Sequence, residues 1–381
     1  MNSSHRVNVI RIEEILPHTN ADTLGIIQIG GYQCVVKKDQ YKVGDLAIYI
    51  QPDSVVPQMP QFSFLWADKE FPNGIVPEKY RRITVRRFRK EWSEGLLMPL
   101  SDFGVALTRE GFKVACPPGV EPPPNATYQS LYTYVGEGDD VAELLGITHY
   151  EEPEPGFALG TQGRTLTFWQ KILKFFGYAP KPYGPKNAPP KYDVESLKNY
   201  PRVFEPNEEV VVTEKIHGSN ARYTFDGKHF WVGSHNKWWK EQSNIWWKAA
   251  KKYPWIEAFC REWPNFTLYG EVTPTQTGYP YGFETEVQFF AFDLRRPDGT
   301  YVDKKNLYQL KEIQQLVPIV YQGPYGTADM KALAEGNSLV TGAKNIREGI
   351  VVSSATERHV RGVGRAQLKL KSLKFLEKEN K

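Results

Sequence analysis

Apolar and polar residues alternate with a period of two over many short stretches of this chain, which predicts strands more often than helices. Up to about Gly104 the apolar stretches are separated by turn residues such as Gly30-Gly31, a spacing typical of a small β-barrel. The strands predicted there are Val7 to Ile12, Gly25 to Ile29, Tyr32 to Val36, Leu46 to Ile50, Ile83 to Val85 and Gly95 to Met98.

The composition changes between about residues 105 and 190. Prolines gather in Pro122-Pro123-Pro124 and again from Ala179 to Pro190, which favours a semi-rigid tether. Within this segment, Leu166 to Phe176 carries apolar residues at helical spacing and is predicted to be a short packing helix. We therefore expect one domain at 1–150, a linker at 151–190 and a second domain at 191–381.

The chain has 381 residues, of which 40% are hydrophobic, enough for two or three packed domains. A net charge of +4 means that binding to nucleic acid would depend on local patches. Cys34, Cys116 and Cys260 lie far apart without C-x-x-C spacing, which argues against a structural zinc site and a disulfide framework. Because no signal-peptide core or membrane-spanning run is found, we expect a cytoplasmic protein (host cytoplasm if viral) without a membrane partner.

One lysine, Lys215, ends the apolar strand that contains Val210 to Val212, and Gly218 follows at a predicted turn. A lysine at a strand end can act as a nucleophile when burial or nearby cations lower its pKa. Most of the 48 Lys and Arg residues are expected to be solvated surface charges, so Lys215 needs support from neighbouring motifs.

That support comes from a series of motifs that resemble those of the covalent nucleotidyltransferases, the superfamily of polynucleotide ligases and capping enzymes. Glu214 to Asn220 (E-K-I-H-G-S-N) resembles motif I. With His217 in its third position, it is similar to the variant of this motif in the RNA ligase 2 group. The other motifs follow in order: Leu268 to Val272 resembles motif III, Phe289 to Asp293 motif IIIa, Arg347 to Val352 motif IV, and Leu368 to Lys371 motif V.

The resemblance implies an α+β protein whose C-terminal nucleotidyltransferase domain (an ATP-grasp-like ligase adenylation domain) has antiparallel sheets with flanking helices. The N-terminal barrel is expected to be OB-like. His18 to Leu24, with Val43 to Tyr49, resembles the N-terminal OB domain found in one branch of RNA ligases.

The activity implied by the resemblance is ATP-dependent joining of RNA 3′-hydroxyl and 5′-phosphate ends, as in RNA repair. Lys215 would attack the α-phosphate of ATP, the AMP would pass to an RNA 5′ phosphate, and a 3′ hydroxyl would displace it. The expected partner is RNA, as a nicked duplex or as free ends, and the protein is expected to be a monomer.

The resemblance also implies a set of residues that surround Lys215. Glu271 and Glu348 are expected to hold Mg2+ (or Mn2+) largely through waters. Lys369 and Lys371 are two residues apart on one strand, so both project from the same face, towards the triphosphate. Residues expected to bind the nucleotide or its metal are Glu214, Ile216, His217, Asn220, Arg222, Glu271, Phe292, Glu348, Lys369 and Lys371.

Several features allow two interpretations. Phe292 either stacks on adenine or packs in the core, and the tryptophans from Trp238 to Trp255 are core residues or base platforms. The basic run Lys79 to Lys90 either tracks phosphates or keeps an edge strand soluble. His235 stands where motif Ia usually carries an arginine, for which Arg222 or Lys237 could compensate.

Two other functions were weighed. A capping-type nucleotidyltransferase is disfavoured by His217 and because no further domain is expected after motif V. A catalytically dead RNA-binding adaptor is disfavoured because Lys215, the two acidic residues and the two motif V lysines are all present.

Overall fold

The computed structural model describes residues 6–103, 105–108, 111–114, 133–150, 183–273, 281–283 and 286–379. The chain divides into two compact units, Met1–Glu151 with Leu376–Lys381, and Glu152–Phe375. The helix predicted at Leu166–Phe176 and most of the predicted linker lie outside the described residues, as does Cys116.

The first unit is built from short, mostly antiparallel strands. Its sheets have the orders β1-β5-β9, β2-β3-β4 and β10-β11-β12, and two further pairs are β6 with β13 and β7 with β8. The strands are β1 Val7–Arg11, β2 Ile15–Pro17, β3 Leu24–Ile29, β4 Tyr32–Lys37, β5 Leu46–Ile50, β6 Ser54–Val55, β7 Val85–Phe88, β8 Glu91–Glu94, β9 Leu96–Pro99, β10 Val105–Thr108, β11 Gly111–Val114, β12 Thr133–Val135 and β13 Thr148–His149. A helix spans Glu78–Arg81, and 3-10 turns span Pro60–Leu65 and Leu100–Phe103.

Strand β5 shows why this sequence folds as a barrel. Ile48 and Ile50 pack in a cluster with Val7 and Val9, whereas Ala47 and Tyr49, on the other face, pack with Ile27. The strand is therefore buried on both faces. The strand predicted at Ile83 to Val85 is displaced along the chain: β7 begins at Val85 and continues to Phe88.

The second unit contains two five-stranded sheets, of order β14-β25-β22-β15-β21 and β18-β17-β16-β19-β20. The strands are β14 Glu195–Ser196, β15 Glu209–Lys215, β16 Ser219–Phe225, β17 Phe230–Ser234, β18 Trp238–Trp239, β19 Thr267–Thr273, β20 Gln288–Arg295, β21 Ile319–Pro324, β22 Gly349–Ser354, β23 His359–Val360, β24 Gly364–Arg365 and β25 Gln367–Lys371. Helices span Ile245–Lys252, Trp255–Glu262, Lys304–Leu307, Met330–Ala334 and Leu373–Glu379. The predicted α+β class is confirmed.

The tryptophans near the second sheet serve mainly as core. Trp246 is fully buried, stacks on Trp239 at 5.0 Å between ring centroids, and donates from Nε1 to the backbone oxygen of Asn220. The helix that carries Trp246 begins at Ile245, where the side chain of Asn244 accepts from Trp247 N and caps it.

Candidate active site

Lys215 lies at the end of β15, in a row of residues that crosses three strands. Gly349, the first residue of β22, pairs with Lys215 on one side and with Lys371 of β25 on the other. Directly paired residues project from the same face of a sheet, so Lys215 and Lys371 share a face. Lys369 lies two residues earlier on β25 and joins them. The structure therefore brings the three predicted lysines together.

Gly349 makes this row possible. A Cβ atom at residue 349 would lie 2.2 Å from Leu370 O and 2.7 Å from Lys371 Cα. Any larger residue would push β25 away from β22 and move Lys371. Gly218 of motif I is required for a similar reason, since a Cβ there would lie 2.6 Å from Glu271 Cγ. Close approach of strand β19 explains this glycine.

Glu348 is the acidic partner of Lys215. The Lys215 Nζ atom donates to Glu348 Oε1 at 2.6 Å, and His217 Nδ1 lies 3.4 Å from Glu348 Oε2. The Glu348 side chain is 4% exposed and that of Lys215 is 25% exposed. The carboxylate therefore orients the lysine while one side of the amine remains accessible.

The electrostatics of the lysine row follow from burial and proximity. Burial would raise the pKa of Glu348, but Lys215, His217 and Lys371 outweigh it and hold the pKa well below its ordinary value. Burial, followed by repulsion from Lys371 and Lys215, lowers the pKa of Lys369 to about 8. This site concentrates positive charge around one ionised carboxylate, which suits a polyphosphate.

Glu271 and Asn220 lie in the second sheet, where they are directly paired on β19 and β16. Glu271 lies inside strand β19, Thr267–Thr273, and not at its end. Asn220 Oδ1 is buried without a hydrogen-bond partner among the described residues. A polar ligand with a donor group would satisfy it.

Glu214 points away from Lys215, as expected for the adjacent residue of a strand. It is buried, its Oε2 accepts from Leu339 N at 2.7 Å, and burial raises its pKa. In the described part of the chain, Oε1 has no hydrogen-bond partner. Glu214 therefore offers a second buried acceptor.

Tyr281 connects these acidic groups, and sequence reasoning missed it. Its Oη accepts from the backbone N–H of His217 at 2.7 Å. Burial raises the pKa of Tyr281, and the carboxylates of Glu348, Glu214 and Glu271 are close enough to raise it further. The three predicted acidic residues thus lie near one phenol.

Phe292 borders an apolar cluster of Ile216, Tyr281, Phe290, Val317 and Val340, so Ile216 contributes packing beneath the site. The outer contact of Phe292 is Tyr192, whose ring centroid lies 4.7 Å away. No periodic pattern singled out Tyr192, since it follows the proline-rich stretch. Phe292 is half-buried and packs against protein, and its stacking on adenine stays a prediction.

Tyr192 also joins a buried ionic cluster centred on Asp293 of motif IIIa, which is fully buried. The Tyr192 hydroxyl donates to Asp293 and lies 2.6 Å from Gln367 Oε1. Arg365 donates to Asp293 at 2.7 Å, and Lys304 Nζ lies 3.2 Å from it. Despite burial, these partners lower the pKa of Asp293. The cluster ties β20 of one sheet to β25 of the other.

Arg222 is buried on β16, where it donates to Pro189 O at 2.7 Å and lies over Trp238, 4.4 Å from the ring centroid. Lys237 lies over the ring of Trp239, and His235 Nε2 is 3.6 Å from Asp193 Oδ1. The cations proposed to replace the motif Ia arginine thus pack against aromatic rings.

The residues present fit a metal held through water. No group of three or more His, Cys, Asp or Glu side chains within the described ranges is arranged to bind an ion directly. Glu271 and Glu348 are instead separate carboxylates near the lysine row, a donor set that suits a hydrated divalent cation.

Two mainly antiparallel sheets, with a partly exposed lysine bonded to a buried carboxylate, define a fold of the nucleotidyltransferase type. Residues 208–371 match the RNA ligase family model, and residues 6–100 match an OB-fold domain model. Residues 208–371 therefore form an RNA ligase domain and residues 6–100 an OB-fold domain, as the motifs indicated. No curated protein sequence matches it.

The solved structures that this chain resembles include several of Naegleria gruberi RNA ligase. A mutant in the apo form has a TM-score of 0.70 at 22% identity, with 99% of each chain covered. A mutant with ATP and Mn gives 0.70 at 22% identity, covering 98% of this chain and 99% of that one. A mutant with AMP and Mn gives 0.70 at 22% identity over 99% of this chain and 100% of that one.

Proposed function

We propose that this protein is an ATP-dependent RNA ligase that works through a lysyl-AMP intermediate on Lys215. The observation that carries the proposal is the row of Lys215, Gly349 and Lys371, with Glu348 bonded to the lysine. It provides a nucleophile, an orienting carboxylate and phosphate-binding cations in one place. The match of residues 208–371 to the RNA ligase family model supports the same reaction.

In the first step Lys215 attacks the α-phosphate of ATP and pyrophosphate leaves. Glu348 orients the amine, while Lys369 and Lys371 neutralise the charge on the phosphates. Mg2+ or Mn2+, held through water by Glu271 and Glu348, would supply further charge stabilisation at the phosphates. The AMP then passes to an RNA 5′ phosphate, and the 3′ hydroxyl displaces it.

The base is proposed to be adenine because Glu214 offers an acceptor. Leu339, which donates to Glu214, precedes Val340 of the cluster that Phe292 borders. The Glu214 carboxylate and the Phe292 ring therefore lie at the same apolar cluster. The Oε1 atom of Glu214 would accept from the exocyclic amine of adenine, whereas it would repel the carbonyl oxygen of guanine.

RNA is proposed as the substrate, as a nicked duplex or as free ends, and the protein is proposed to act as a cytoplasmic monomer. No helix in the described ranges has the length and apolar character needed to cross a membrane. The relatives with ATP, AMP and Mn support the nucleotide and metal assignments.

Intact-protein mass spectrometry after incubation with ATP and Mg2+ tests the proposal. The expected result is an adduct of AMP mass, located on Lys215 by peptide mapping and absent from Lys215→Ala. Labelling by GTP with none by ATP would favour the capping reaction. The absence of any adduct in a folded protein would favour the adaptor.

A further inference from the structure

The hairpin of β7 and β8 has a turn made of two basic residues. Arg89 and Lys90 both have left-handed backbones, with φ of 47° and 80°. Two-residue hairpin turns that need positive φ at both positions are usually Asn-Gly or Gly-Gly, because side chains crowd the backbone there. The sequence thus keeps two long cations where the backbone disfavours them. Strained residues of this kind cluster at functional sites.

The side chains at the tip of the hairpin are exposed to solvent. Residues 86–90 are all exposed, and Phe88 is among the few exposed large hydrophobic residues, at 42%. Within the described ranges, Arg86, Arg89 and Lys90 form no ion pair with an acidic side chain. Arg86 and Phe88 alternate onto the same face of β7. An exposed aromatic ring is therefore bordered by three cations without an ion-pair partner among the described residues, while Glu91 is the residue paired with Phe88 across the hairpin.

The turn end of the hairpin is held by the His18-Thr19-Asn20 segment. His18 Nδ1 accepts from Asn20 N at 3.0 Å, so Nε2 carries the proton and donates to Phe88 O at 3.1 Å. Thr19 Oγ1 donates to Glu91 Oε1 at 2.5 Å. The motif that resembled an OB domain therefore holds the backbone beneath the exposed aromatic residue.

Arg87 strengthens the same hairpin from the other face. Its guanidinium lies over the ring of Trp92, 5.1 Å from the centroid, and its Nε donates to Lys90 O at 3.2 Å. Arg87 is therefore occupied in closing the turn. Arg86, Arg89 and Lys90 remain available for a ligand.

We propose that this hairpin tip binds an unpaired RNA strand, with Phe88 stacked on a base and Arg86, Arg89 and Lys90 at its phosphates. Positive charge beside an aromatic face matches the chemistry of single-stranded nucleic acid. A base in a closed duplex is already stacked on its neighbours, so Phe88 favours an unpaired one. The choice of RNA as partner rests on the proposed function, whereas the site is separate from the lysine row.

The test uses the full-length protein and a short 5′-phosphorylated single-stranded RNA, with affinity measured by fluorescence anisotropy over a range of salt. Arg89→Asn/Lys90→Gly gives the turn the residues that its backbone prefers. We expect a higher melting temperature together with weaker RNA binding. The plot of log affinity against log salt has a negative slope, and its magnitude should decrease by about 1.4, or about 0.7 for each lost phosphate contact. If the turn has only a structural role, the variant would be more stable and would bind RNA with unchanged affinity.

Phe88→Ala should weaken binding of the same RNA roughly 5- to 150-fold. Phe88→Trp should retain affinity and Phe88→Leu should not, which separates stacking from simple hydrophobic contact. The affinity of Phe88→Ala for a fully paired RNA duplex should be little lower than that of the wild-type protein. Equal losses for both RNAs would overturn the stacking assignment.

Lys37→Ala/Lys38→Ala is the matched control, since both lysines are exposed in the same unit. Lys37 ends β4 and Lys38 follows it, whereas Gln33, four residues earlier, is the residue of β4 that donates to Trp92 O beside the turn. We expect this control variant to keep wild-type RNA affinity. An equal loss in the control, or an unchanged salt slope in the turn variant, would overturn the proposal. The AMP adduct of the wild-type protein, measured without RNA, reports failure of the ligase chemistry separately.

Discussion

Lys215 Nζ and Glu348 Oε1 lie 2.6 Å apart, at the ends of adjacent antiparallel strands. The carboxylate is almost fully buried and the lysine is a quarter exposed. An amine that donates to a carboxylate is held in one orientation, and it needs an unprotonated lone pair to attack phosphorus. Glu348 therefore positions the nucleophile.

Replacing Glu348 by Gln should slow formation of the AMP adduct by about 100-fold or more, because a neutral amide neither orients the amine as firmly nor supports a hydrated cation. The rate is measured by intact mass over time. Glu286→Gln removes a carboxylate from an exposed pair with Lys252 and serves as the control. Equal rates for wild type and Glu348→Gln would remove this role.

ATP affinity should decrease as the pH rises through about 8, because Lys369 loses its proton there. Binding titrations from pH 7 to 9 without a divalent metal separate binding from chemistry and keep Lys215, whose charge contributes to the lowered pKa. Lys369→Arg keeps its charge throughout this range and should flatten the profile. A wild-type profile that is flat would contradict the assignment.

Folding stability should show the opposite trend. Lys369 has a pKa of about 8 when folded against an ordinary value of 10.5, so the unfolded chain binds more protons between these values. The free energy of unfolding contributed by this lysine therefore rises from about pH 8 to 10.5. Denaturation midpoints of wild type and Lys369→Met, compared across that range, measure the effect. Parallel pH profiles would contradict it.

Gly349→Ala should destabilise the protein by about 2 kcal/mol or more, since the new methyl group would overlap Leu370 O. Adduct formation should also fall, because Lys371 is displaced. Gly136→Ala is the control, as its Cβ would meet nothing nearer than 3.9 Å. Denaturant midpoints of the two variants provide the comparison, and similar values would show that β25 can shift without cost.

Tyr192→Phe removes the hydroxyl that contacts Asp293 but keeps the ring beside Phe292. We expect a loss of about 1–3 kcal/mol in stability, because a buried carboxylate loses a donor. The Michaelis constant for ATP should change little. Tyr192→Leu removes the ring as well and should raise that constant. If both variants raise it equally, the ring has no part in holding Phe292.

The sequence predicted those parts of the site that local patterns encode. Strand β15 follows from its valine run, and the ordered motifs placed Lys215, Glu348, Lys369 and Lys371 in one pocket. It could not predict contacts created by tertiary packing. Tyr281 and Tyr192 carry no periodic signal, and the inward position of Glu271 on β19 depends on how that strand pairs. The turn at Arg89 even contradicts local preference, so only backbone geometry identifies it.

Sealing by Lys215→Ala tests the central claim most directly. In single-turnover assays with a nicked RNA duplex, this variant should join no 5′-phosphate end in the presence of ATP. It should still join an end supplied already adenylylated, because that substrate bypasses the lysine. Sealing of the 5′-phosphate end at the wild-type rate by Lys215→Ala would contradict a lysyl-AMP mechanism at this residue.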